Sequence, residues 1–180
     1  GTKVYAMPKM KSFIKNNGPW SQLVHLNNIQ INDLQNDSTI VLNNKLKVTP
    51  FIVPHRDEFS ETVGYKISGS KKTALFIPDI DKWHKWNQSI IEEVKKVDYA
   101  FLDATFLNQK EVKRAMTEVP HPFIEETTAL FKNESIQTKN KVIFIHFNHT
   151  NPVLQENSIE KKQLEKLGFK VAVEGTNYEL

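Results

Sequence analysis

The chain has 180 residues, of which 39% are hydrophobic and 25% are charged. This composition is typical of a globular protein and excludes an extended disordered chain. The 24 basic and 21 acidic residues leave a formal net charge of +3, which gives no argument for nucleic acid as a partner. Cysteine is absent, so disulfides and thiolate-bound metals are excluded, and any metal must be held by His, Asp, Glu or Asn.

The first third of the chain is predicted to be mainly extended. After a strand and a short helix in the first 23 residues, apolar and polar residues alternate from residue 24 to 68. This period of two predicts consecutive, mostly antiparallel strands, the first of them over residues 24–31. Pro50 and Pro54 cannot donate a backbone hydrogen bond, which predicts that the strand over residues 45–53 is an edge strand or a bulged one.

After residue 74 the pattern changes to strands that alternate with helices. Such alternation predicts a layered α/β fold with helices packed on one face of a sheet, and one domain over residues 1–180 is expected. The predicted strands cover residues 74–80, 99–105, 141–147 and 170–175, and the predicted helices cover residues 87–97, 109–116, 122–132 and 158–169.

Three of these buried strands end in side chains that can bind a metal. FIPDID ends in Asp79 and Asp81, LDATF contains Asp103, and IFIHFNHT contains His146. Strand ends in α/β proteins gather reactive side chains at one edge of the sheet. Carboxylates and imidazoles at one edge favour a divalent metal, with Asp79 and His146 as ligands. Asp81 and Asp103 can equally cap the turns that follow them.

The remaining candidates lie in loops. His121 stands between two prolines that restrict its backbone, which suits a catalytic acid or base, although an exposed loop histidine has the same pattern. His55, in VPHRDEFSET, and the pair Asn148 and His149, close to His146, are candidates for contact with a substrate. No Gly-rich phosphate loop, GxSxG or HExxH is present, which excludes the P-loop, serine-hydrolase and zincin classes.

Five segments follow one another in an order that resembles the metallo-β-lactamase superfamily, in particular its pyrroloquinoline-quinone biosynthesis protein B branch. They are VPHRDEFSETVGYKI, LFIPDIDKW, DYAFLDATF, HPFIEETTALF and VIFIHFNHTNPVL. In that branch RDEFSETVGY and NHTNP are characteristic. The resemblance implies a four-layer αββα sandwich of the α/β class, with this chain as its C-terminal half and an N-terminal half of the same fold as its partner. It also implies zinc, as one or two ions, at Asp79 and His146, with His121 assisting proton transfer.

The function that the resemblance implies is metal-dependent hydrolysis of a small-molecule substrate. Two alternatives stay open: a non-catalytic domain that binds a ligand or partner, and a phosphodiesterase similar to tRNase Z. The HxHxDH motif that is the hallmark of the superfamily is absent from this sequence. We therefore expect these 180 residues alone to hold an incomplete metal site. No membrane span or signal peptide is visible, which favours a cytoplasmic location.

Overall fold

A seven-stranded mixed sheet is the main feature of the computed structural model, which describes residues 1–113 and 115–180. Its strands follow the order β3-β4-β5-β6-β7-β8-β9, and a separate two-stranded sheet pairs β1 with β2. The strands are β1 (Thr2–Ala6), β2 (Ile29–Asp33), β3 (Ile40–Asn43), β4 (Leu46–Ile52), β5 (Val63–Ser68), β6 (Thr73–Ile77), β7 (Tyr99–Asp103), β8 (Val142–Ile145) and β9 (Lys170–Val171).

The helices are short, and most of them follow residue 83. None of the helices within the two described ranges is long and apolar enough to cross a membrane. The α-helices are α1 (Pro8–Asn16), α2 (Trp20–His25), α3 (Ile90–Lys95), α4 (Ile124–Leu130), α5 (Ile136–Lys139) and α6 (Ile159–Lys166), and short 3-10 helices form at Trp83–Lys85, Gln109–Glu111, Met116–Glu118 and Pro152–Leu154.

Strand direction brings several carboxyl ends to one edge of the large sheet. Strands β6, β7, β8 and β9 are parallel to one another, so β6, β7 and β8 end on the same side. Strand β4 also ends there, because β4 and β6 are both antiparallel to β5, the strand between them. Four strand ends can therefore contribute side chains to one site.

One face of the sheet is covered by helices, as the sequence predicts. Ile77, Leu102 and Phe144 are adjacent across β6, β7 and β8 and are fully buried. Side chains from α3, α4 and α6 complete this core; they are Ile90, Val94, Ile124 and Leu164. The α/β layering expected from the alternation after residue 74 is confirmed. The buried rows hold the strand ends rigidly, because close-packed interiors resist shifts of their backbone.

The prediction for residues 24–31 is wrong in its first half. The segment up to His25 belongs to helix α2, and Asn27 ends that helix with a left-handed φ of 57°, a conformation that asparagine tolerates. Strand β2 begins only at Ile29 and pairs in parallel with β1. A parallel pair needs a crossover between its strands, and α1 and α2 provide it.

Two further predictions need correction. Strand β4 is not an edge strand, because it lies between β3 and β5. Its Pro50 needs no hydrogen-bond donor toward β3, because β3 pairs with β4 only as far as Val48. The Pro50 carbonyl accepts a hydrogen bond from the Asp37 backbone N–H (2.8 Å). The helix predicted over residues 109–116 is reduced to a 3-10 turn at Gln109–Glu111, where the Glu111 carboxylate accepts a hydrogen bond from the Leu107 backbone. Arg114 of that prediction lies outside the described residues.

Candidate metal centre

Four side chains that can bind a metal converge at the carboxyl edge of the sheet. Asp79 follows β6, Asp103 is the last residue of β7, and His146 directly follows β8. The fourth, His121, comes from the loop before α4. One ligand atom from each lies within 4.8 Å of those of the other three. The expected convergence of Asp79 and His146 is thus present, and their role as ligands stays a prediction.

The backbone at His146 is turned out of the strand. Its φ of 60° lies in the left-handed region, which is uncommon for a residue other than glycine and concentrates at functional sites. This turn brings its Nδ1 to 3.0 Å from Thr105 Oγ1 and 3.5 Å from Asp103 Oδ1. The nearby Asp103 carboxylate raises the pKa of His146 above its ordinary value, although partial burial acts in the opposite direction.

Asp103 is the buried anchor of the cluster. Its Oδ1 accepts hydrogen bonds from the backbone N–H and the hydroxyl of Thr105, at 2.9 and 2.7 Å. Its Oδ2 accepts one from the Ile80 N–H (3.2 Å) and lies 2.8 Å from His121 Nδ1. Burial would raise the pKa of Asp103, but the neighbouring His121, His146 and Thr105 side chains outweigh it and hold the pKa below its ordinary value. Four donors occupy the four lone-pair sites of this carboxylate.

Asp79 contrasts with Asp103 because one of its oxygens has no hydrogen bond. Its Oδ1 is buried, although 36% of the side chain is exposed, and His55 Nε2 lies 2.9 Å away without hydrogen-bonding geometry. His121 Nδ1 is 3.4 Å from the same oxygen. Buried polar atoms are almost always hydrogen-bonded, and the exceptions require an explanation such as a missing ion. Asp79 therefore offers a lone pair for coordination, and Asp103 does not.

The hydrogen bonds of the two histidines indicate their tautomers. Nδ1 of His121 faces the Asp103 carboxylate, and Nδ1 of His146 faces the Thr105 hydroxyl. Because that hydroxyl donates its proton to Asp103, it can only accept from His146. We therefore assign the ring proton to Nδ1 in both residues, which leaves each Nε2 as the free basic nitrogen. Ring nitrogens held in this way by outer partners are typical of metal and acid–base sites.

The other predicted residues, which are His55, Asn148 and His149, differ in how closely they contact the cluster. His55, which follows the carboxyl end of β4, lies against Asp79 as described above. The Asn148 side chain donates to Thr150 Oγ1 (2.6 Å), and its backbone N–H donates to the Thr105 carbonyl (2.8 Å). His149 is exposed and is not a member of the four-residue cluster. Contact of these residues with a substrate stays a prediction.

The sequence pattern does not predict the roles of two residues of the site, Asp103 and Thr105. The sequence pattern allows Asp103 to be either a strand-end ligand or a turn cap; in the structure it caps the turn through Thr105 and also anchors His121. The signal that distinguishes it is its position on a strand between two parallel strands that end in Asp79 and His146. Thr105 gives no sequence signal, because a threonine after a strand is common. Asp81 does not cap the 3-10 helix that follows, because the N-cap residue is Lys82 and no side chain caps it; Asp81 Oδ1 accepts a hydrogen bond from the adjacent Lys82 N–H (2.7 Å).

We expect Asp103→Asn to lower the free energy of unfolding of the metal-free protein by about 1.5–3 kcal/mol, the usual contribution of a hydrogen bond to a charged group. The substitution replaces one acceptor oxygen with an amide donor that faces another donor. Because the pKa of Asp103 is depressed in the folded chain, its contribution is present above the pKa of an unfolded aspartate and is lost as the pH falls through the folded pKa. Urea denaturation with a chelator, at neutral and acidic pH, measures both effects.

Asp98→Asn is the matched control for this prediction. Asp98 lies just before the other end of β7, where it accepts a single exposed hydrogen bond from the Thr73 N–H (2.8 Å). An exposed substitution of this kind changes stability by about 0.5 kcal/mol or less. Equal urea midpoints for the two variants would show that Asp103 is not the anchor of the cluster.

Comparison with known proteins identifies the family of this chain. A family model described as the beta-lactamase superfamily domain matches residues 1–147. Coenzyme PQQ synthesis protein B of Gluconobacter oxydans is 30% identical over 126 residues, which cover 67% of this chain and 40% of that protein. The protein of the same name from Acinetobacter baylyi is 23% identical, and the match covers 96% of this chain and 63% of that protein. The chain thus spans about 40–63% of the length of these relatives.

Solved structures show the same fold. Zinc-bound PqqB from Methylobacterium extorquens superimposes with a TM-score of 0.75 at 22% identity, over 99% of this chain and 62% of that one. A diphosphatase from the PhnP family superimposes with a TM-score of 0.64 at 19% identity, over 100% of this chain and 60% of that one. At such identities the match establishes the fold and leaves the chemistry open. From the family match over residues 1–147, the chain belongs to the metallo-β-lactamase superfamily, within which it is similar to the coenzyme PQQ synthesis protein B branch.

Proposed function

We propose that this protein is a metal-dependent hydrolase that acts on a small-molecule substrate, with a divalent ion, zinc, held by Asp79 and His146. The observation that carries the proposal is the buried Oδ1 of Asp79, which has no hydrogen bond while the neighbouring Asp103 carboxylate is fully occupied. An oxygen that is buried without a donor is costly unless something positive binds it. The similarity to a PQQ synthesis protein whose structure contains zinc supports the choice of ion.

The residues of the site fit zinc. The available donors are a carboxylate oxygen and imidazole nitrogens, which are ordinary zinc ligands. When bound, the ion supplies a Lewis acid that polarises the bond to be cleaved and makes water more acidic. Catalytic zinc sites usually have three protein ligands, and Asp79 and His146 are two. We propose that the others come from a part of the superfamily fold outside these 180 residues.

His121 is placed to move a proton at this site. Asp103 holds its Nδ1 at 2.8 Å, which fixes the orientation of the ring and leaves the opposite nitrogen facing away from the carboxylate. A histidine oriented by a buried carboxylate is the usual arrangement of a general acid or base. His121 also lies 3.4 Å from Asp79 Oδ1, so its ring is beside the proposed ion. We propose that His121 Nε2 takes up the proton released by the attacking water and delivers it to the leaving group of the substrate.

A second candidate is a domain that binds a ligand without catalysing a reaction. The observation that favours it is the absence of HxHxDH from this sequence. The two candidates differ in one measurable property. In the hydrolase, the protein with zinc cleaves a substrate, whereas the binding domain takes up zinc or ligand and cleaves nothing.

The test is a panel of chromogenic esters, phosphodiesters and β-lactams, presented with zinc and with a chelator to the protein together with the part of the superfamily fold that supplies the other ligands. The hydrolase predicts cleavage of at least one class above the rate of free zinc, and loss of that cleavage with the chelator. Zinc uptake without cleavage of any class would instead support the binding domain. Cleavage that the chelator does not affect would contradict the role of the metal.

A further inference from the structure

Lys82 is a buried lysine close to the proposed metal centre. It lies three residues after Asp79, and only 3% of it is exposed. Its ammonium group is 2.7 Å from Glu126 Oε2 and 4.3 Å from the centroid of the Phe123 ring. Lysine is almost never this buried unless it is paired, because removing its charge from water is costly. The ion pair with Glu126 and the contact with the Phe123 ring therefore offset the cost of burying this charge.

The contact joins the two loops that carry Asp79 and His121. Glu126 Oε2, the oxygen that binds Lys82, also accepts a hydrogen bond from the Phe123 N–H (2.7 Å). Phe123 lies two residues after His121, and Lys82 lies three residues after Asp79, so each partner in the contact belongs to the segment that carries one of these two site residues. Beside this contact, Trp83 Nε1 donates to Thr127 Oγ1 (2.9 Å). The Asp79 loop is thus attached to the first turn of α4 by two neighbouring polar contacts.

Neither loop is positioned by the sheet alone. Asp79 is separated from β6 by one residue and is followed by a turn, and His121 lies between a 3-10 helix and α4. The distance between Asp79 Oδ1 and His121 Nδ1, 3.4 Å, depends on how the two loops are held against each other. A charged contact whose lysine is buried holds such a distance better than one in which both partners are exposed, because solvent screens the exposed pair.

We propose that Lys82 is a positioning residue, whose bond to Glu126 sets the separation of the proposed metal ligand Asp79 from the proton donor His121. This inference rests on the proposed function, because it assigns Lys82 to the same site. Outer residues that hold ligands and catalytic groups in place usually change metal affinity when they are removed, without contacting the metal. The proposal predicts that Lys82 controls the geometry of the site in addition to its contribution to stability.

The test is Lys82→Met, which keeps the length of the apolar stem and removes the charge. Glu126 is partly exposed, so its carboxylate can be solvated in the variant. With a chelator present, we expect the Phe123 amide, which shares the Glu126 oxygen, to exchange its hydrogen about tenfold faster than in the wild type. Zinc affinity, measured by calorimetric titration of zinc alone, should fall about tenfold or more.

Two controls separate positioning from stability. Lys85→Met makes the same substitution in a pair of the same length, since Lys85 Nζ lies 2.7 Å from Asp81, but 46% of that side chain is exposed. Val94→Ala shortens a fully buried side chain of helix α3 and thereby lowers global stability. Neither should change zinc affinity, and neither should speed exchange at Phe123 more than at other core amides.

The inference is overturned if Lys82→Met matches Lys85→Met in both zinc affinity and exchange at Phe123. If Lys82→Met does not fold, Glu126→Gln takes its place, because glutamine keeps an acceptor for the Phe123 N–H while losing the charge; wild-type zinc affinity in that variant would also overturn the inference. If the wild-type protein takes up no zinc even together with the part of the superfamily fold that supplies the other ligands, the proposed function fails, and exchange at Phe123 alone decides whether Lys82 holds the two loops together.

Discussion

Replacing His121 with alanine is expected to lower turnover of a hydrolysed probe by about 10²–10⁴-fold, the usual contribution of a positioned general acid or base. Zinc affinity should not change, because the Asp103 carboxylate occupies Nδ1 of His121 and the proposed ligands are Asp79 and His146. The measurement is the rate on the class of probe that the wild-type protein cleaves, together with a zinc titration of the same sample.

His84→Ala is the matched control for this prediction. His84 is exposed, lies in the 3-10 helix Trp83–Lys85 and is not part of the four-residue cluster. It should keep the wild-type rate and affinity. A fall in zinc affinity in the His121 variant would make His121 a ligand and not a proton donor. If neither rate nor affinity changes, His121 is a loop residue without a role in the chemistry.

Asp79→Asn is expected to remove zinc binding without harming the fold. Zinc affinity should fall by more than about 100-fold, beyond the 10–100-fold effect typical of outer residues, because an amide oxygen is a far weaker ligand than a carboxylate. The free energy of unfolding of the metal-free protein should stay the same or rise. The reason is that Oδ1 of Asp79 is buried without a hydrogen bond, and a neutral amide is less costly to bury than a carboxylate.

This result would contrast directly with Asp103→Asn, which is expected to destabilise the metal-free protein. Zinc calorimetry and urea denaturation with a chelator measure the two effects separately. Asp81→Asn is the control, since Asp81 is bound to Lys85 and to the Lys82 N–H and should affect zinc little. Zinc affinity retained in Asp79→Asn, or a stability loss as large as that of Asp103→Asn, would reverse the roles assigned to the two carboxylates.

Much of the fold follows from the hydrophobic pattern of the second half of the chain. The strands that end near Asp79, Asp103 and His146 are continuous apolar runs, as expected for strands buried on both sides. Their parallel order makes the convergence of the three ends a consequence of topology. The same pattern predicts helix α4 and the position of His121 before it, because a proline and two acidic residues mark the start of the helix.

The parts that local patterns do not predict depend on contacts that are distant in sequence. Residues 20–25 form a helix because β1 and β2 pair in parallel and need a crossover, which no alternation of residues reveals. The difference between Asp79 and Asp103 depends on which donors each carboxylate meets, including Thr105 and the Ile80 backbone. Lys82 pairs with Glu126, 44 positions later, and a lysine near a strand end otherwise predicts only surface.

The central claim is that Asp79 and His146 bind a divalent metal at the carboxyl edge of the sheet. Anomalous diffraction at the zinc edge, from crystals of this protein grown with saturating zinc, tests it most directly. The predicted result is a peak about 2.0–2.2 Å from both Asp79 Oδ1 and a ring nitrogen of His146, with Asp103 keeping its contacts to Thr105 and His121. The absence of a peak between Asp79 and His146, with zinc bound only at exposed histidines such as His84 or His149, would contradict the claim.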